Sequence, residues 1–292
     1  MFYDSFWRIG KEIQGQGSSL MDKFSVLMSL YIKEKPEYLK ESLESIVTNT
    51  IVPNEVVVVL DGLITDELQQ VLNEYINKYP LLFNIVPLET NQGLGLALRE
   101  GVLHCNNELI ARMDTDDVCR NDRFEKQLQV FSNNPNIDVC GSHILEFEER
   151  IDNIVAKRVV PLENEKIKKY QRRRDGFNHV SVMFKKSSVL KAGNYQSCLL
   201  MEDTLLWANM FNSGATGLNI DDYLVYVRIG KDMFERRGGF AYYKKYKEGR
   251  KKVYQTRFIS WWDYKYTLMI QFLVALMPNK LRGCIFKKML HK

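Results

Sequence analysis

Short apolar runs alternate with amphipathic stretches through the first 115 residues of the chain. Residues 24–31, 83–88 and 108–113 are apolar runs of strand length, and residues 55–60 are rich in β-branched side chains. Between these runs, apolar residues recur at helical spacing. This alternation predicts an α/β fold with a mostly parallel sheet and helices on both faces.

The pattern loosens after residue 124. Residues 138–145 and 180–184 predict two more strands, and residues 201–211 predict a helix. We therefore expect a main α/β domain over residues 23–230, an N-terminal extension over 1–22 and a C-terminal segment over 231–292.

Polar side chains follow the four predicted strands of the first half. These residues are Tyr31, Asp61, Asn91 and Asp114. Ligands of parallel sheets lie at the carboxyl ends of the strands. We therefore expect the four side chains to meet at one binding edge.

An acidic cluster comes directly after the fourth strand, at Asp114, Asp116 and Asp117. Asp114 and Asp116 are two residues apart, so in an extended segment they point to the same side. Carboxylates this close repel one another unless a cation or a network of donors pairs them. The cluster predicts a site for Mn²⁺ or Mg²⁺, with Asp114 and Asp116 as ligands. A solvated acidic turn is the alternative.

Three further groups of residues are candidates with an ordinary structural alternative. Arg99 follows a glycine-rich turn and is a candidate for donor binding or a surface residue. Glu202 and Asp203 open a predicted helix, where acidic residues serve either as N-terminal partners of the helix dipole or as a general base. Arg228, Arg236 and Arg237 surround a glycine-rich stretch and are candidates for diphosphate binding or solvated charges.

The motifs at Asp61, Asn91 with Gly93, Asp114 with Asp116, and Glu202 with Asp203 appear in the order of a known family. Together they resemble family 2 glycosyltransferases of the GT-A fold, over about residues 23–230. The region after Arg228 resembles bacterial members that build O-antigen, capsule or exopolysaccharide on undecaprenyl diphosphate.

The resemblance implies a Rossmann-like GT-A domain and assigns roles to residues. Asp61 would contact the nucleoside, and Arg99 would help to hold the donor, as we also expect of Tyr31 and Asn91. Asp114 would lie by the ribose and the metal. The metal ligand would be Asp116, and Asp203 would be the catalytic base.

The resemblance also implies a reaction. We expect inverting transfer of a hexose from a UDP-sugar, with UDP-glucose or UDP-galactose as the first donors to test. The acceptor would be a sugar on undecaprenyl diphosphate, contacted by Glu202 and Trp207.

Basic residues concentrate in the C-terminal segment. Residues 231–292 carry 16 lysines and arginines against 4 acidic residues, whereas the other 230 residues carry 25 against 32. The apolar stretch 267–277 has Trp261 and Trp262 before it and is shorter than the roughly 20 residues of a membrane span. These features favour peripheral docking on the inner face of the cytoplasmic membrane, with packing on the catalytic domain as the alternative.

Two other functions remain open from the residues alone. A phosphatase or phosphotransferase would use the acidic cluster as nucleophile and acid, but the first cation that follows the cluster in sequence is Arg120. A nucleic-acid-binding protein would use the basic segment, but no known motif of that kind is present, and we expect no nucleic-acid partner. Five cysteines without a CxxC pair indicate a reduced, cytoplasmic location and no zinc site.

Overall fold

The computed structural model describes residues 23–230 and 238–277. The predicted extension 1–22, Arg236 and Arg237 lie outside the described residues. The strands are β1 (Phe24–Leu30), β2 (Glu55–Leu60), β3 (Phe83–Pro87), β4 (Leu109–Arg112), β5 (Val118–Cys119), β6 (Val139–Phe147), β7 (Ile154–Arg158), β8 (Met183–Lys185) and β9 (Gly217–Arg228). The helices are α1 (Pro36–Val47), α2 (Asp66–Lys78), α3 (Leu94–His104), α4 (Arg123–Asn133), α5 (Asn164–Gln171), α6 (Lys186–Lys191), α7 (Glu202–Asn212), α8 (Gly239–Gln255) and α9 (Trp261–Leu276).

All nine strands belong to one sheet, in the order β3-β2-β1-β4-β8-β6-β9-β5, with β7 paired to β6. The pairs β1–β2, β2–β3, β1–β4 and β6–β9 are parallel. Following the pairings across the sheet, β1, β2, β3, β4, β6 and β9 run in the same direction, and β5, β7 and β8 run against them. The prediction of a mostly parallel α/β sheet is confirmed.

Helices cover both faces of the sheet. On one face α1, α2 and α4 pack against Val56 and Val58, and on the other α3, α6 and α7 pack against Val57 and Val59. Strand β2 is buried at every position because it is central and covered on both sides. Its run of β-branched residues is the sequence pattern of such a strand.

The second half of the domain departs from the predicted boundaries. The segment predicted as a strand over 180–184 begins as a 3₁₀ turn at His179–Ser181 and becomes β8 only at Met183. The long strand β9 was not predicted, because Asp221 and Asp222 interrupt its apolar pattern.

The C-terminal helices pack on the catalytic domain. Val253 of α8 lies in a buried cluster with Leu205 and Ala208 of α7, and α9 packs along α8. Helix α9 begins with a reciprocal capping box between Ser260 and Asp263. No helix in the described ranges 23–230 and 238–277 is long and apolar enough to cross a membrane.

Candidate active site

Four polar residues predicted to meet do follow strands that point to one edge of the sheet. Tyr31 follows β1, Asp61 follows β2, Asn91 lies in the loop after β3, and Asp114 follows β4. The fifth segment that reaches this edge is the end of β9, at Arg228.

Asp61 holds the loop that starts helix α3. Its carboxylate accepts the backbone N–H groups of Gln92 at 2.6 Å and Gly93 at 3.0 Å, and its carbonyl oxygen accepts the Asn91 amide at 3.1 Å. Asp61 is only 3% exposed. It therefore orders the glycine-rich turn, and a direct contact between Asp61 and a nucleoside stays a prediction.

The acidic cluster has the geometry of a cation site. Asp114, Asp116 and Asp117 each offer a carboxylate oxygen within 4.8 Å of the others. A Mg²⁺ ion at about 2.0–2.1 Å from its ligands holds opposite oxygens about 4 Å apart, so the three carboxylates fit such an ion. Asp117 extends the predicted pair of ligands to a group of three.

Two carboxyl groups of this cluster, those of Asp116 and Asp117, have raised pKa values. Burial, together with the charges of Asp114 and Glu34, raises the pKa of Asp116 to about 7. Burial and the charges of its two acidic neighbours also raise the pKa of Asp117 well above its usual range. Divalent charge would offset this repulsion, which is the chemistry expected of a cation site.

Arg112 is the counter-charge already present. Its guanidinium is buried at the end of β4 and binds both oxygens of Asp114 as a fork, one of them at 2.8 Å. The same positive charge acts to lower the raised pKa values of Glu202 and Asp203. The charge of Arg112 therefore acts on both the acidic cluster and the carboxylates at the start of α7.

Arg228 ties the acidic turn to the last long strand. Its Nε donates to the Asp116 carbonyl oxygen at 3.0 Å, and its backbone N–H donates to the Asp117 carboxylate at 2.8 Å. The guanidinium also pairs with Glu41 and lies over the Tyr38 ring. These contacts give Arg228 a role in holding the turn, and the predicted diphosphate contact of Arg228 stays a prediction.

The start of α7 brings Glu202 and Asp203 to the same site. A Cβ atom on Gly95, in the first turn of α3, would lie 3.0 Å from the Glu202 Cβ. Glu202 therefore packs directly on the helix that begins at the glycine-rich turn. Both acidic side chains are partly buried.

Asp203 is a proton acceptor with a raised proton affinity. Burial, followed by the negative charges of Asp175 and Glu202, raises the pKa of Asp203 to about 8. Burial also raises the pKa of Glu202. A base whose pKa lies near the working pH is suited to general base catalysis.

The Trp207 side chain, which we expected to contact the acceptor, does not reach the surface. Its ring is fully buried in the core, among Phe177, His179 and Phe184. The prediction that Trp207 contacts the acceptor is wrong in this structure, because α7 turns that face toward the sheet. Arg99 and Tyr31, by contrast, are exposed, as donor-binding residues must be.

Two residues of the site were missed in the sequence. Arg112 stood as the one charge in an otherwise apolar strand, and a buried arginine needs an acidic partner. Asp175 gave no such signal, since it follows three arginines in a polar loop.

The family model of glycosyl transferase family 2 matches residues 25–196. The chain belongs to glycosyltransferase family 2. This glycosyltransferase is 37% identical over 270 residues to an Escherichia coli enzyme named UDP-Gal:alpha-D-GlcNAc-diphosphoundecaprenol beta-1,3-galactosyltransferase, covering 92% of this chain and 97% of the relative. It is also 39% identical to the amylovoran biosynthesis glycosyltransferase AmsE of Erwinia amylovora, covering 91% of this chain and 98% of the relative.

The fold matches solved structures as well. A mannosyltransferase from Pyrobaculum calidifontis, solved with GDP-Man and Mn²⁺, superposes with a TM-score of 0.61 at 14% identity, over 95% of this chain and 78% of the other. The predicted GT-A fold and the resemblance to bacterial polysaccharide transferases are confirmed. Enzymes of this family and fold typically use a divalent cation, and the acidic cluster supplies fitting ligands. Family membership also favours sugar transfer over the phosphotransferase and nucleic-acid-binding alternatives.

Proposed function

We propose that this enzyme transfers a hexose from a UDP-sugar to a sugar on undecaprenyl diphosphate, with inversion at the anomeric carbon. The Escherichia coli relative, whose name states UDP-Gal and a GlcNAc-diphosphoundecaprenol acceptor, supports this assignment. UDP-galactose is the donor to test first, and UDP-glucose is the second. The product would be used in the synthesis of a bacterial surface polysaccharide. The name of AmsE, which states amylovoran biosynthesis, supports this role.

The observation that carries the proposal is the pairing of two acidic groups around Arg112. The Arg112 guanidinium donates a hydrogen bond to Asp114, and the positive charge of Arg112 acts to lower the pKa of Asp203. A cluster that could hold a cation and a candidate base are thus both under the influence of one buried arginine, which supports a reaction between a nucleoside diphosphate sugar and a hydroxyl.

Asp114, Asp116 and Asp117 would hold Mn²⁺ or Mg²⁺. A cation bound there supplies Lewis-acid stabilisation of the diphosphate leaving group. Arg228 keeps the Asp116–Asp117 turn in place through its two hydrogen bonds.

The donor would lie along the loop ordered by Asp61. Tyr31, Asn91 and Arg99 are exposed beside this edge or on α3 and would contact the nucleotide. Glu202 would help to place the acceptor. Asp203 would accept the proton of the acceptor hydroxyl as its oxygen attacks the anomeric carbon from the face opposite the diphosphate. A single displacement of this kind converts an α-linked donor into a β-linked product.

We propose further that the enzyme docks on the inner face of the cytoplasmic membrane through α9. Trp262 is 73% exposed, and Phe272, Leu273 and Leu276 lie exposed further along the helix. Leu268, in contrast, is buried against the protein and belongs to the packing of α9. Exposed apolar and aromatic residues beside lysines suit an interfacial helix.

The test is a donor screen with an undecaprenyl-diphosphate GlcNAc analogue as acceptor. UDP-galactose, UDP-glucose, UDP-GlcNAc and GDP-mannose are compared with Mn²⁺ present, and the anomeric configuration of the product is read by NMR. We expect a β-linked product from a UDP-hexose, and a loss of about 10²–10⁴-fold in kcat for Asp203→Asn. An α-linked product, or release of phosphate without sugar transfer, would overturn the proposal.

A further inference from the structure

Thr204 joins two carboxylates at the start of α7. Its backbone N–H donates to the Asp203 carboxylate at 2.7 Å, and its hydroxyl donates to the Asp175 carboxylate at 2.5 Å. Asp203 and Asp175 are therefore fixed by neighbouring atoms of one residue. Asp175 comes from the loop after α5, so this bridge connects two separate segments of the chain.

The loop that carries Asp175 is held from its other side by the C-terminal helices. Asp263, in the first turn of α9, pairs with Arg172 and with Arg173, each at 2.7 Å. The Arg173 guanidinium also lies 4.7 Å from the centre of the Tyr266 ring. In addition, Arg250 of α8, which is 2% exposed, donates to the Arg172 carbonyl oxygen.

Helix α8 also holds the segment that leads into α7. Lys252 donates to the Ser197 carbonyl oxygen at 2.6 Å. A Cβ on Gly249 would lie only 3.2 Å from the Leu199 carbonyl oxygen, so the helix backbone approaches that segment closely. The start of α7, with Glu202 and Asp203, is thus supported on both flanks by residues beyond 230.

We infer that Asp175 is a positioning residue for Asp203, acting through Thr204, and that α8 and α9 hold Asp175 in place for this task. The inference rests on the proposed role of Asp203 as the base. It assigns to the C-terminal helices a share in the active site, which the family-matched residues 25–196 do not contain.

Two effects of Asp175 can be separated. Its hydrogen bond fixes the first turn of α7, and its negative charge raises the proton affinity of Asp203. The charged groups that act on Asp203 are Asp175 and Glu202, which raise its pKa, and Arg112, which lowers it. An asparagine at position 175 still accepts the Thr204 hydroxyl but carries no charge. An alanine loses both effects.

The experiment compares Asp175→Asn, Asp175→Ala and Thr204→Val in the full-length enzyme, with kcat and donor KM measured over pH. Asp152→Asn, in the exposed turn between β6 and β7, is the matched control. For Asp175→Ala and Thr204→Val we expect kcat to fall by up to about 100-fold with donor KM unchanged. For Asp175→Asn we expect kcat at the optimum to be largely kept, with the acidic limb of the pH profile moved about one unit lower.

The helix pair is tested with Asp263→Asn, which can still cap α9 but loses its charge pairs with Arg172 and Arg173. We expect a lower kcat with donor affinity unchanged.

Normal kcat and a normal pH profile in Asp175→Ala would overturn the inference, as would a fall in melting temperature without any kinetic change. Full activity in Asp203→Asn would instead overturn the proposed base itself, so the two failures are distinguishable.

Discussion

The backbone of Gly95 packs directly against the side chain of Glu202. A Cβ on Gly95 would lie 3.0 Å from the Glu202 Cβ and 3.1 Å from the Gln196 carbonyl oxygen. Helix α3, which begins at the glycine-rich turn, and helix α7, which carries Asp203, therefore meet at this point.

This contact predicts the effect of Gly95→Ala. In an open helix the change stabilises by about 1 kcal/mol. Here the added methyl group must displace Glu202 or the Gln196 backbone, so we expect kcat to fall roughly 10-fold to 100-fold while the fold is kept. Kinetics and circular dichroism measure the two outcomes. Glu100→Ala on the same helix is the control, and equal kcat in both variants would contradict the role of the contact.

Removal of the cation should abolish activity. Three carboxylates that repel one another have a cation as their natural partner, so excess chelator should remove turnover and Mn²⁺ or Mg²⁺ should restore it. Asp116→Ala should lose the cation-dependent part of UDP binding, measured by calorimetry with and without Mn²⁺. Asp122→Ala, on a partly buried ion pair with Arg120 nearby, is the control. Full turnover in excess chelator would refute the cation site.

Asp203 should make the enzyme less stable as pH rises. Folding raises its pKa to about 8, from about 3.9 in an unfolded chain. A raised pKa in the folded state gives stability that is complete below about pH 4 and is lost as pH rises through 8. Asp203→Asn removes this loss. In the presence of chelator its melting temperature should exceed that of the wild type by roughly 5 °C at pH 8, with the difference shrinking toward pH 5.

Equal melting temperatures at pH 8 would show that Asp203 is ionised without cost in the folded protein. The control is Asp152→Asn, because Asp152 is exposed and its pKa is lowered by the hydrogen bond from Arg150.

The ends of strands β1 to β4 were predictable because the apolar runs, the turns that follow them and the topology of parallel sheets all indicate the same positions. Residues 56–59 are all valine, a turn follows at Asp61, and parallel strands bring such ends to one edge. The acidic cluster after β4 was found for the same reason. These features depend on short stretches of sequence and on one rule of sheet topology.

The remaining site residues depend on distant contacts. Asp175 matters because α5, α7, α8 and α9 meet around its loop, and no local pattern encodes that meeting. Trp207 lies within a helix that is apolar on most sides, so its spacing does not show which face is buried. Arg228 lies 112 positions from its partner Asp116, a distance that sequence periodicity does not bridge.

The exposed lysines of α8 and the exposed apolar residues of α9 predict membrane binding with two components. Basic residues near an anionic leaflet contribute about 1 kcal/mol each, so replacing the exposed Lys244, Lys245 and Lys247 by glutamine should weaken binding to anionic vesicles roughly tenfold to a hundredfold. Trp262→Ala with Leu276→Ser should remove the part that resists high salt. Vesicle co-sedimentation measures both.

The control for the charge change is Lys40→Gln, on an exposed ion pair of α1. Equal binding of the wild type to neutral and anionic vesicles would refute the electrostatic component, and unaltered binding of both variants would refute docking through this surface.

The support that α8 gives to both flanks of Asp203 determines how far the protein can be shortened. A fragment that ends at residue 196 lacks Asp203 and the Arg228 tie to the acidic turn. A fragment that ends at residue 230 keeps both, but it exposes Leu205 and Ala208 to water where Val253 now covers them. We therefore expect the smallest stable catalytic fragment to include both α8 and α9.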